Sequence, residues 1–177
     1  METYVALLRG INVSGHNMIK MEALKSILCD LNFTGIRTYI QSGNIIFENK
    51  TTDSTHLAKM IRDTIFRHFG FEVPVIIRTR SELEYISKNN PFLIERNENI
   101  DQLHVSFLAE NPDEVHVKKT GEFQCLPDEF FMSGKEIYLF CPAGYGRTKL
   151  TNQFFENKLK TLATTRNWKT IIRLTNM

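Results

Sequence analysis

The stretch IRTYIQSGNIIFE, residues 36–48, decides the fold of this chain. Two β-rich runs, residues 36–41 and 44–48, stand on either side of Ser42-Gly43, a dipeptide that is typical of a tight hairpin turn. The pattern predicts two antiparallel neighbouring strands. A lone hairpin is marginal in water, so further strands and helices must cover its apolar face.

Helical and strand-like segments alternate around this hairpin. Residues 4–9 form an apolar run that is typical of a buried strand, and apolar residues recur at helical spacing within residues 21–31. After the hairpin, Asp53 can cap a second helix, Gly70 can end it, and residues 73–79 predict another strand. The order β-α-β-β-α-β is that of the split βαβ, or ferredoxin-like, unit.

A connector follows this first unit. Ser81 and Glu84 have the spacing of a capping box, which predicts a short helix, and Asn90-Pro91 ends it. We therefore expect three segments, namely a ferredoxin-like unit at residues 1–80, a connector at residues 81–102 and a second unit at residues 103–177.

The second unit repeats the same order imperfectly. Residues 103–108 alternate as a strand does, a short helix follows, and strands at residues 123–131 and 137–140 are joined by a Ser-Gly-Lys turn before another helix. Residues 168–174 fit either a strand or a helix, and periodicity does not decide between them. The expected fold is α+β, with two ferredoxin-like units of which the second is degenerate.

Composition excludes several classes of protein. The 177 residues are 42% hydrophobic, which is ample for a packed core, and the net charge of +2 gives no general attraction to nucleic acid or membranes. No apolar run approaches the roughly 20 residues that span a bilayer. The three cysteines are odd in number and far apart, and no signal peptide pattern opens the sequence, so we expect a cytoplasmic protein.

Three segments concentrate small, polar and cationic residues beyond what a packed core requires. They are LRGINVSG at residues 8–15, TYIQSGN at residues 38–44 and ATTRNW at residues 163–168. Each is typical of a strand end or a helix start, where backbone donors and side-chain amides can converge on a ligand. None of the three matches a known catalytic motif.

Within these segments, RGINV at residues 9–13, TYIQSGN at residues 38–44 and TTRNW at residues 164–168 resemble the three signatures of a widespread bacterial family that is known only as a domain of unknown function. FGFEVP at residues 69–74 and Lys149-Leu150 resemble two further parts of its pattern, in the same order. The resemblance covers essentially the whole chain and implies a two-part α/β fold built on ferredoxin-like units, with a helical last segment. It implies no activity. Ser14 departs from the family's usual Gly, and the chain ends at Met177 where relatives often extend the helix.

The first signature predicts an anion-binding loop. Arg9 ends a strand, Gly10 and Gly15 allow positive φ, and Asn12 and Lys20 add donors before a helix begins. Such a loop can surround an anion with backbone N–H groups while a cation supplies charge. The alternative is a turn whose glycines serve geometry and whose arginine pairs with a carboxylate.

The second signature should lie beside the first. In a ferredoxin-like order the first and third strands are central neighbours, so Arg9, Gln41 and Asn44 should gather at one edge of the sheet. The amides of Gln41 and Asn44 donate and accept hydrogen bonds, which suits a base edge or a sugar. The alternative is a hairpin whose amides satisfy neighbouring backbone groups.

The third signature and the loop upstream of it predict a second anion contact. A Gly-rich loop with Arg147 and Lys149 is typical of a phosphate site, and Arg166 and Asn167 can bind a planar ligand. The alternative for Trp168 is an anchor that holds the terminal segment in the core. We expect Arg166 and Asn167 to face the loops of the first two signatures.

These patterns favour a cytoplasmic protein that binds a small anion or a nucleotide. The expected partner is a phosphorylated small molecule or a nucleotide. The sequence does not decide whether the protein is an enzyme. Two alternatives stay open. One is a module that binds RNA or single-stranded nucleic acid through Tyr4 and Tyr39, and the other is an interaction domain without a ligand. Histidine and cysteine spacing predicts no metal, and we expect no cofactor and no membrane partner.

Overall fold

The computed structural model describes residues 1–13, 15–50 and 52–177, so Ser14 lies outside the described residues. The chain divides into two compact units, Met1–Glu84 together with Met177, and Tyr85–Asn176. Each unit contains one four-stranded antiparallel sheet with helices packed on it. The fold is α+β, in agreement with the sequence.

The first unit has the element order β-α-β-β-α-β. Its elements are β1 (Glu2–Leu8), α1 (Met21–Cys29), β2 (Thr34–Tyr39), β3 (Asn44–Asn49), α2 (Ser54–Phe69) and β4 (Val75–Thr79). The sheet order is β2-β3-β1-β4, and all neighbouring strands are antiparallel. This is the ferredoxin-like arrangement, and the predicted hairpin of β2 and β3 is confirmed.

Strand β1 is central and is buried on both of its faces. Tyr4, Ala6 and Leu8 belong to the core that α1 and α2 cover. Val5 and Leu7 point to the opposite face because side chains alternate along a strand, and both are at most 1% exposed. Burial on both faces explains why the sequence of β1 is a continuous apolar run.

The helix that follows β4 is α3 (Arg80–Lys88). Its existence is predicted correctly, but the predicted capping residues Ser81 and Glu84 are wrong. Thr79 Oγ1 accepts a hydrogen bond from the Glu82 N–H (3.2 Å), and the Thr79 N–H donates to Glu82 Oε2 (2.7 Å). The capping box lies two residues earlier because β4 continues directly into the helix.

The second unit has a complete β-α-β-β-α-β order. A short helix, Pro91–Ile94, precedes this order, and a terminal helix, Trp168–Thr175, follows it. Its elements are α4 (Pro91–Ile94), β5 (Leu103–Leu108), α5 (Glu114–Gly121), β6 (Glu129–Ser133), β7 (Glu136–Phe140), α6 (Asn152–Leu159), β8 (Ala163–Asn167) and α7 (Trp168–Thr175). The order of strands is β6-β7-β5-β8, again antiparallel, so both units have the same topology.

Strand β8 completes the second sheet, so the second unit is not degenerate as the sequence had suggested. The pattern had not separated this strand from the terminal segment, because four of the five residues in ATTRN are polar and no loop follows it. Asn167 ends β8 and caps α7 at once, with its Oδ1 accepting from the Thr170 N–H (2.8 Å). The last segment is a helix, as the family resemblance implies.

A second correction concerns the strand predicted at residues 123–131. Strand β6 begins only at Glu129, because Cys125 and Asp128 close a turn in which the Asp128 N–H donates to the Cys125 carbonyl oxygen (2.9 Å). Pro127 lies inside this turn and has no N–H to give to a sheet. Aromatic and apolar residues on both sides of the turn had suggested one longer strand.

Candidate functional site

The first two signatures meet at one end of the first sheet. The Leu8 N–H donates to the Gly43 carbonyl oxygen (2.8 Å), which joins the end of β1 to the turn between β2 and β3. Asn12 Nδ2 donates to the Gln41 carbonyl oxygen (2.9 Å). The predicted gathering of these segments at one edge of the sheet is confirmed.

The contact between the two signatures leaves no room for a side chain at Gly43. A Cβ there would lie 2.7 Å from Ile11 Cδ1 and 2.7 Å from Leu8 Cβ, and the residue has φ of +78°. In the same turn, Ile40 has φ of +52°, which is a rare and strained conformation for a β-branched residue. Packing of the turn onto the first loop therefore determines the backbone conformation of the turn.

Two of the predicted ligand residues already use their side-chain amides in hydrogen bonds to backbone groups. Asn12 Nδ2 also donates to the Ile19 carbonyl oxygen (2.9 Å), and its Oδ1 accepts from the Ile19 N–H (2.8 Å). Asn44 is fully buried, and its Nδ2 donates to the Tyr39 carbonyl oxygen (3.0 Å). These two side chains fix the conformation of the loops. This is the alternative to ligand binding that the sequence left open for both residues.

The remaining predicted residues of the first unit differ in exposure. Arg9 is half-buried, and its backbone N–H donates to the Pro74 carbonyl oxygen (3.0 Å). Lys20 and Gln41 are exposed, and Lys20 precedes α1 without capping it through its side chain. In the described part of the chain, the side chains of Lys20 and Gln41 have no hydrogen bond or ion pair.

Two open cavities of the first unit lie apart from both signatures. One of about 460 Å³ is lined by Lys25, Cys29, Arg37 and their neighbours between α1 and β2. The other, of about 480 Å³, is lined by residues of α2 and by Glu72. Since none of the predicted ligand residues lines either cavity, cavity shape does not support the first-unit site.

The third signature lies on β8, where its residues alternate between the two faces of the sheet. Arg166 is 8% exposed, and its Nη1 donates to Thr164 Oγ1 and to the Thr165 carbonyl oxygen, both at 2.9 Å. Burial lowers the pKa of the Arg166 guanidinium to about 10, and the charge of Tyr145 opposes this effect. Arg166 is therefore a buried cation with acceptors on its own strand.

Asn167 and Trp168 have structural roles at the start of α7. The Oδ1 of Asn167 caps the helix, and Trp168 is 2% exposed, so the alternative of a core anchor is confirmed for the tryptophan. The predicted meeting of Arg166 and Asn167 with Asn12 and Gln41 stays a prediction.

The loop between β7 and α6, which we call the Gly144 loop (residues 141–151), carries the other two predicted cations. Arg147 and Lys149 are exposed, and neither has an acceptor among the described residues. Gly144 has φ of +88°, and a Cβ at Gly144 or Gly146 would meet no atom within 4 Å. The loop thus offers two unpaired cations beside open space and bare backbone.

A set of polar side chains lies under this loop, and we call it the polar cluster: His104, Ser106, Tyr145, Asn152 and Thr165. Thr165 Oγ1 is at its centre, 2.7 Å from Asn152 Oδ1, 3.0 Å from the Tyr145 hydroxyl and 2.6 Å from Ser106 Oγ. The rings of His104 and Tyr145 stack with their centroids 5.0 Å apart.

His104 is the unusual member of the polar cluster. Its side chain is 8% exposed, and its Nδ1 has no hydrogen-bond partner. Burial holds the pKa of the imidazole below its usual value, and a backbone hydrogen bond at Gln102 opposes this effect. His104 is therefore neutral at physiological pH, and a buried polar atom without a partner is uncommon in folded proteins.

Sequence reasoning did not assign a site to the polar cluster. The available signal is the strand LHVSFL, in which a histidine and a serine occupy alternate positions facing the helices. A half-polar strand normally exposes its polar side to water, whereas all six residues of β5 are buried. The polar residues within this otherwise apolar strand were therefore the sequence feature that could have predicted a buried polar cluster.

Tyr4 does not serve the nucleic-acid alternative. Its ring is 1% exposed and stacks on Phe47 at 5.7 Å between centroids, and its hydroxyl donates to the Thr52 carbonyl oxygen (3.1 Å). Base stacking needs an exposed aromatic face, so the stacking predicted for Tyr4 is wrong.

The described residues, 1–13, 15–50 and 52–177, contain neither a metal-binding cluster nor a membrane-spanning helix. No group of three His, Cys, Asp or Glu residues in them could hold a metal ion. None of the described helices is both long enough and apolar enough to cross a membrane.

Comparison with known proteins places these features in context. Residues 1–138 match the sequence profile of a family described as protein of unknown function (DUF1697), which confirms the resemblance. A conserved bacterial protein, SP0830 from Streptococcus pneumoniae, has a similar solved structure, with a TM-score of 0.76 and 24% identity over 99% of this chain and 97% of that chain. This likeness shows the fold. No curated protein sequence matches the chain.

Proposed function

The chain belongs to the DUF1697 family of unknown function, and we propose from its geometry that it binds a small anionic ligand at the Gly144 loop. The ligand is a phosphorylated small molecule or a nucleotide, and no catalytic step is assigned to the protein. One observation carries the proposal: Arg147 and Lys149 are exposed cations without acceptors, on a loop that lies over the polar cluster.

The chemistry of this loop suits a phosphate group. Arginine presents several N–H donors to phosphate oxygens, and lysine adds a point charge. Because Gly144 and Gly146 carry no Cβ and have open space beside them, an anion can approach the backbone closely. The first-unit loops support the proposal less, since the amides of Asn12 and Asn44 are already used within the protein.

Calorimetric titration with inorganic phosphate and with ATP tests the proposal. Wild-type protein should bind at least one of them, and Arg147→Ala or Lys149→Ala should weaken binding by about tenfold or more, because each removes a charged hydrogen bond. Lys158→Ala, on an exposed part of α6, is the matched control and should leave affinity unchanged.

Two outcomes would contradict the proposal. One is that neither probe binds at millimolar concentration, which would favour an interaction domain without a ligand. The other is that Lys20→Ala removes binding while Arg147→Ala does not, which would place the site at the first signature.

Cytoplasmic residence belongs to the same proposal. Cys29, Cys125 and Cys141 are all free thiols, although Cys29 is exposed to solvent. Thiols stay reduced in the cytoplasm, where phosphorylated metabolites and nucleotides are also found.

A further inference from the structure

The Gly144 loop is longer than its counterpart in the first unit. Both units have the same strand order, so the loop between β3 and α2 corresponds to the Gly144 loop between β7 and α6. The first of these loops comprises residues 50–53, whereas the Gly144 loop comprises residues 141–151. The longer loop carries Arg147 and Lys149, the two cations of the proposed anion site.

A loop of this length and composition does not hold two cations in one arrangement by itself. Each residue of a free loop samples several conformations, and Gly144 and Gly146 sample more than other residues do. If the ligand had to order the loop, the lost conformational entropy would reduce the affinity. A site on the Gly144 loop therefore requires contacts that fix the loop before the ligand binds.

Gln102 fixes the start of the loop. The Cys141 N–H donates to the Gln102 carbonyl oxygen (2.8 Å), and Gln102 Nε2 donates to the Pro142 carbonyl oxygen (3.2 Å). These two contacts lie before Gly144, so they do not fix the part of the loop that carries the cations.

Thr165 fixes the loop on both sides of its cations. Its Oγ1 accepts a hydrogen bond from the Tyr145 hydroxyl (3.0 Å) and donates one to Asn152 Oδ1 (2.7 Å). Tyr145 lies two residues before Arg147, and Asn152 lies three residues after Lys149. One side chain thus connects two points of the chain between which both cations lie.

Thr165 is itself held firmly in β8. Its third hydroxyl contact is Ser106 Oγ on β5, at 2.6 Å, and its carbonyl oxygen accepts from Arg166 Nη1 at 2.9 Å. A hydroxyl group has one hydrogen and two lone pairs, so three hydrogen bonds use it completely. The Thr165 hydroxyl therefore serves the protein's own structure and not a ligand.

The fold alone does not require a hydroxyl group at this place. Ala6 pairs with Ile77 across β1 and β4, and Ser106 pairs with Thr165 across β5 and β8, in both cases two residues before the end of the central strand. Ala6 and Ile77 belong to the hydrophobic core. Since a buried polar group loses hydration, an apolar pair is the simpler solution. The hydroxyl pair occurs in the unit that has the longer loop.

We infer that Thr165 is a positioning residue of the anion site and that it holds Arg147 and Lys149 in the arrangement that binds a phosphate group. This inference rests on the proposed function and gives the third signature a role in the same site. Thr165 acts through the Gly144 loop and does not contact the ligand. Because the loop is ordered in advance, less conformational entropy is lost when the anion binds.

Calorimetric titration of three variants tests this role, with inorganic phosphate or ATP as the probe. Thr165→Val keeps the shape of the side chain and removes the hydroxyl, and the affinity should fall about fivefold. Thr165→Ser keeps the hydroxyl and should bind as the wild-type protein does. Thr161→Val is the control, because it removes a hydroxyl that accepts from the Glu110 N–H (3.2 Å) outside the Gly144 loop, and it should keep the wild-type affinity.

Limited proteolysis with trypsin measures the order of the loop directly. Trypsin cleaves after arginine and lysine, and cleavage of a folded protein requires the segment to open locally. Thr165→Val, and Tyr145→Phe, which keeps the aromatic ring, should raise the rate of cleavage after Arg147 and Lys149 about fivefold. Cleavage after the exposed Lys25, on α1 of the first unit, should not change.

The positioning role and the proposed function fail in different ways. If the wild-type protein binds neither probe, the proposed function is wrong and the positioning role falls with it. If the wild-type protein binds but Thr165→Val keeps its affinity or its slow cleavage of the loop, anion binding stands and the positioning role is wrong. An equal loss of affinity in Thr161→Val would also overturn the role, because it would show a general effect of stability. Should Thr165→Val fail to fold, Tyr145→Phe decides in both measurements.

Discussion

Asparagine side chains show how the signature residues act one by one. Asn12 joins its own loop to the hairpin turn, Asn44 closes that turn, and Asn167 caps a helix. Each uses its amide on backbone groups that a strand end or a helix start leaves without partners. Polar residues that are typical of ligand contacts are thus also those that ordered loops require.

Gly43 should be the least replaceable glycine of the first two signatures. Gly10→Ala places a Cβ in open space and should cost only the strain of positive φ, about 1 kcal/mol of unfolding free energy. Gly43→Ala adds overlap with Ile11 and Leu8, which contributes about 1–3 kcal/mol more, for a total of about 2–4 kcal/mol. Urea denaturation of both variants checks this, and equal losses would show that the turn moves away at little cost.

Residue roles in the site were harder to predict than residue locations. The sequence predicted correctly that the first two signatures meet and that cations lie on the Gly144 loop. It could not show that Asn12 is saturated by backbone groups, because hydrogen-bond partners depend on contacts far along the chain. His104 was missed for the same reason, since its burial depends on the loop that covers it.

At the scale of elements, helices with a cap and an apolar stripe were predicted best. Helix α2 begins after Asp53, whose side chain accepts from the His56 N–H (3.1 Å), and it ends at Gly70 in the left-handed conformation. Strand β8 was missed because it is short, mostly polar and joined directly to a helix. Local pattern decides an element only where turn residues or periodicity mark both ends.

The capping box of α3 gives a prediction at this scale. Thr79→Ala removes both the acceptor for the Glu82 N–H and a hydroxyl partner of its carboxylate, and should lower the free energy of unfolding by about 1 kcal/mol. Ser81→Ala, at the position that the sequence pattern favoured, should change it by less than about 0.5 kcal/mol. The reverse order of the two effects in urea denaturation would show that Ser81 is the cap.

At the scale of the whole molecule, the burial of neutral His104 should make stability depend on pH. The unfolded chain takes up a proton near the ordinary pKa of 6.5, whereas the folded protein does so only at lower pH. Between these values the unfolded state binds more protons, so the stabilisation is complete above pH 6.5 and is lost as pH falls. One proton changes the free energy of unfolding by at most about 1.4 kcal/mol per pH unit.

Denaturation of wild-type and His104→Phe proteins at pH 7.5 and 5.5 measures this dependence. The wild-type protein should lose more stability on acidification than the variant. Identical losses in wild type and His104→Phe would mean that His104 takes up its proton equally well in the folded state.

The topology of both units was predictable to different degrees, and the reason is physical. Continuous apolar strands and capped helices specify the first unit locally, whereas the second unit replaces apolar residues with polar ones at core positions of β5 and β8. A core that departs from simple patterning is harder to recognise, and it is also where a fold most often carries its function.

The central position of β1 has a consequence for the order in which the first unit is made. Strand β1 leaves the ribosome first, but its partners are β3 and β4, and the last of these ends about 70 residues later. At synthesis rates of 5–20 residues per second, the apolar side chains of β1 remain exposed for roughly 4–14 s until the other strands of the sheet have been made. The central strand of the sheet, β1, is thus the strand that is exposed longest in the nascent chain, where a chaperone would bind it.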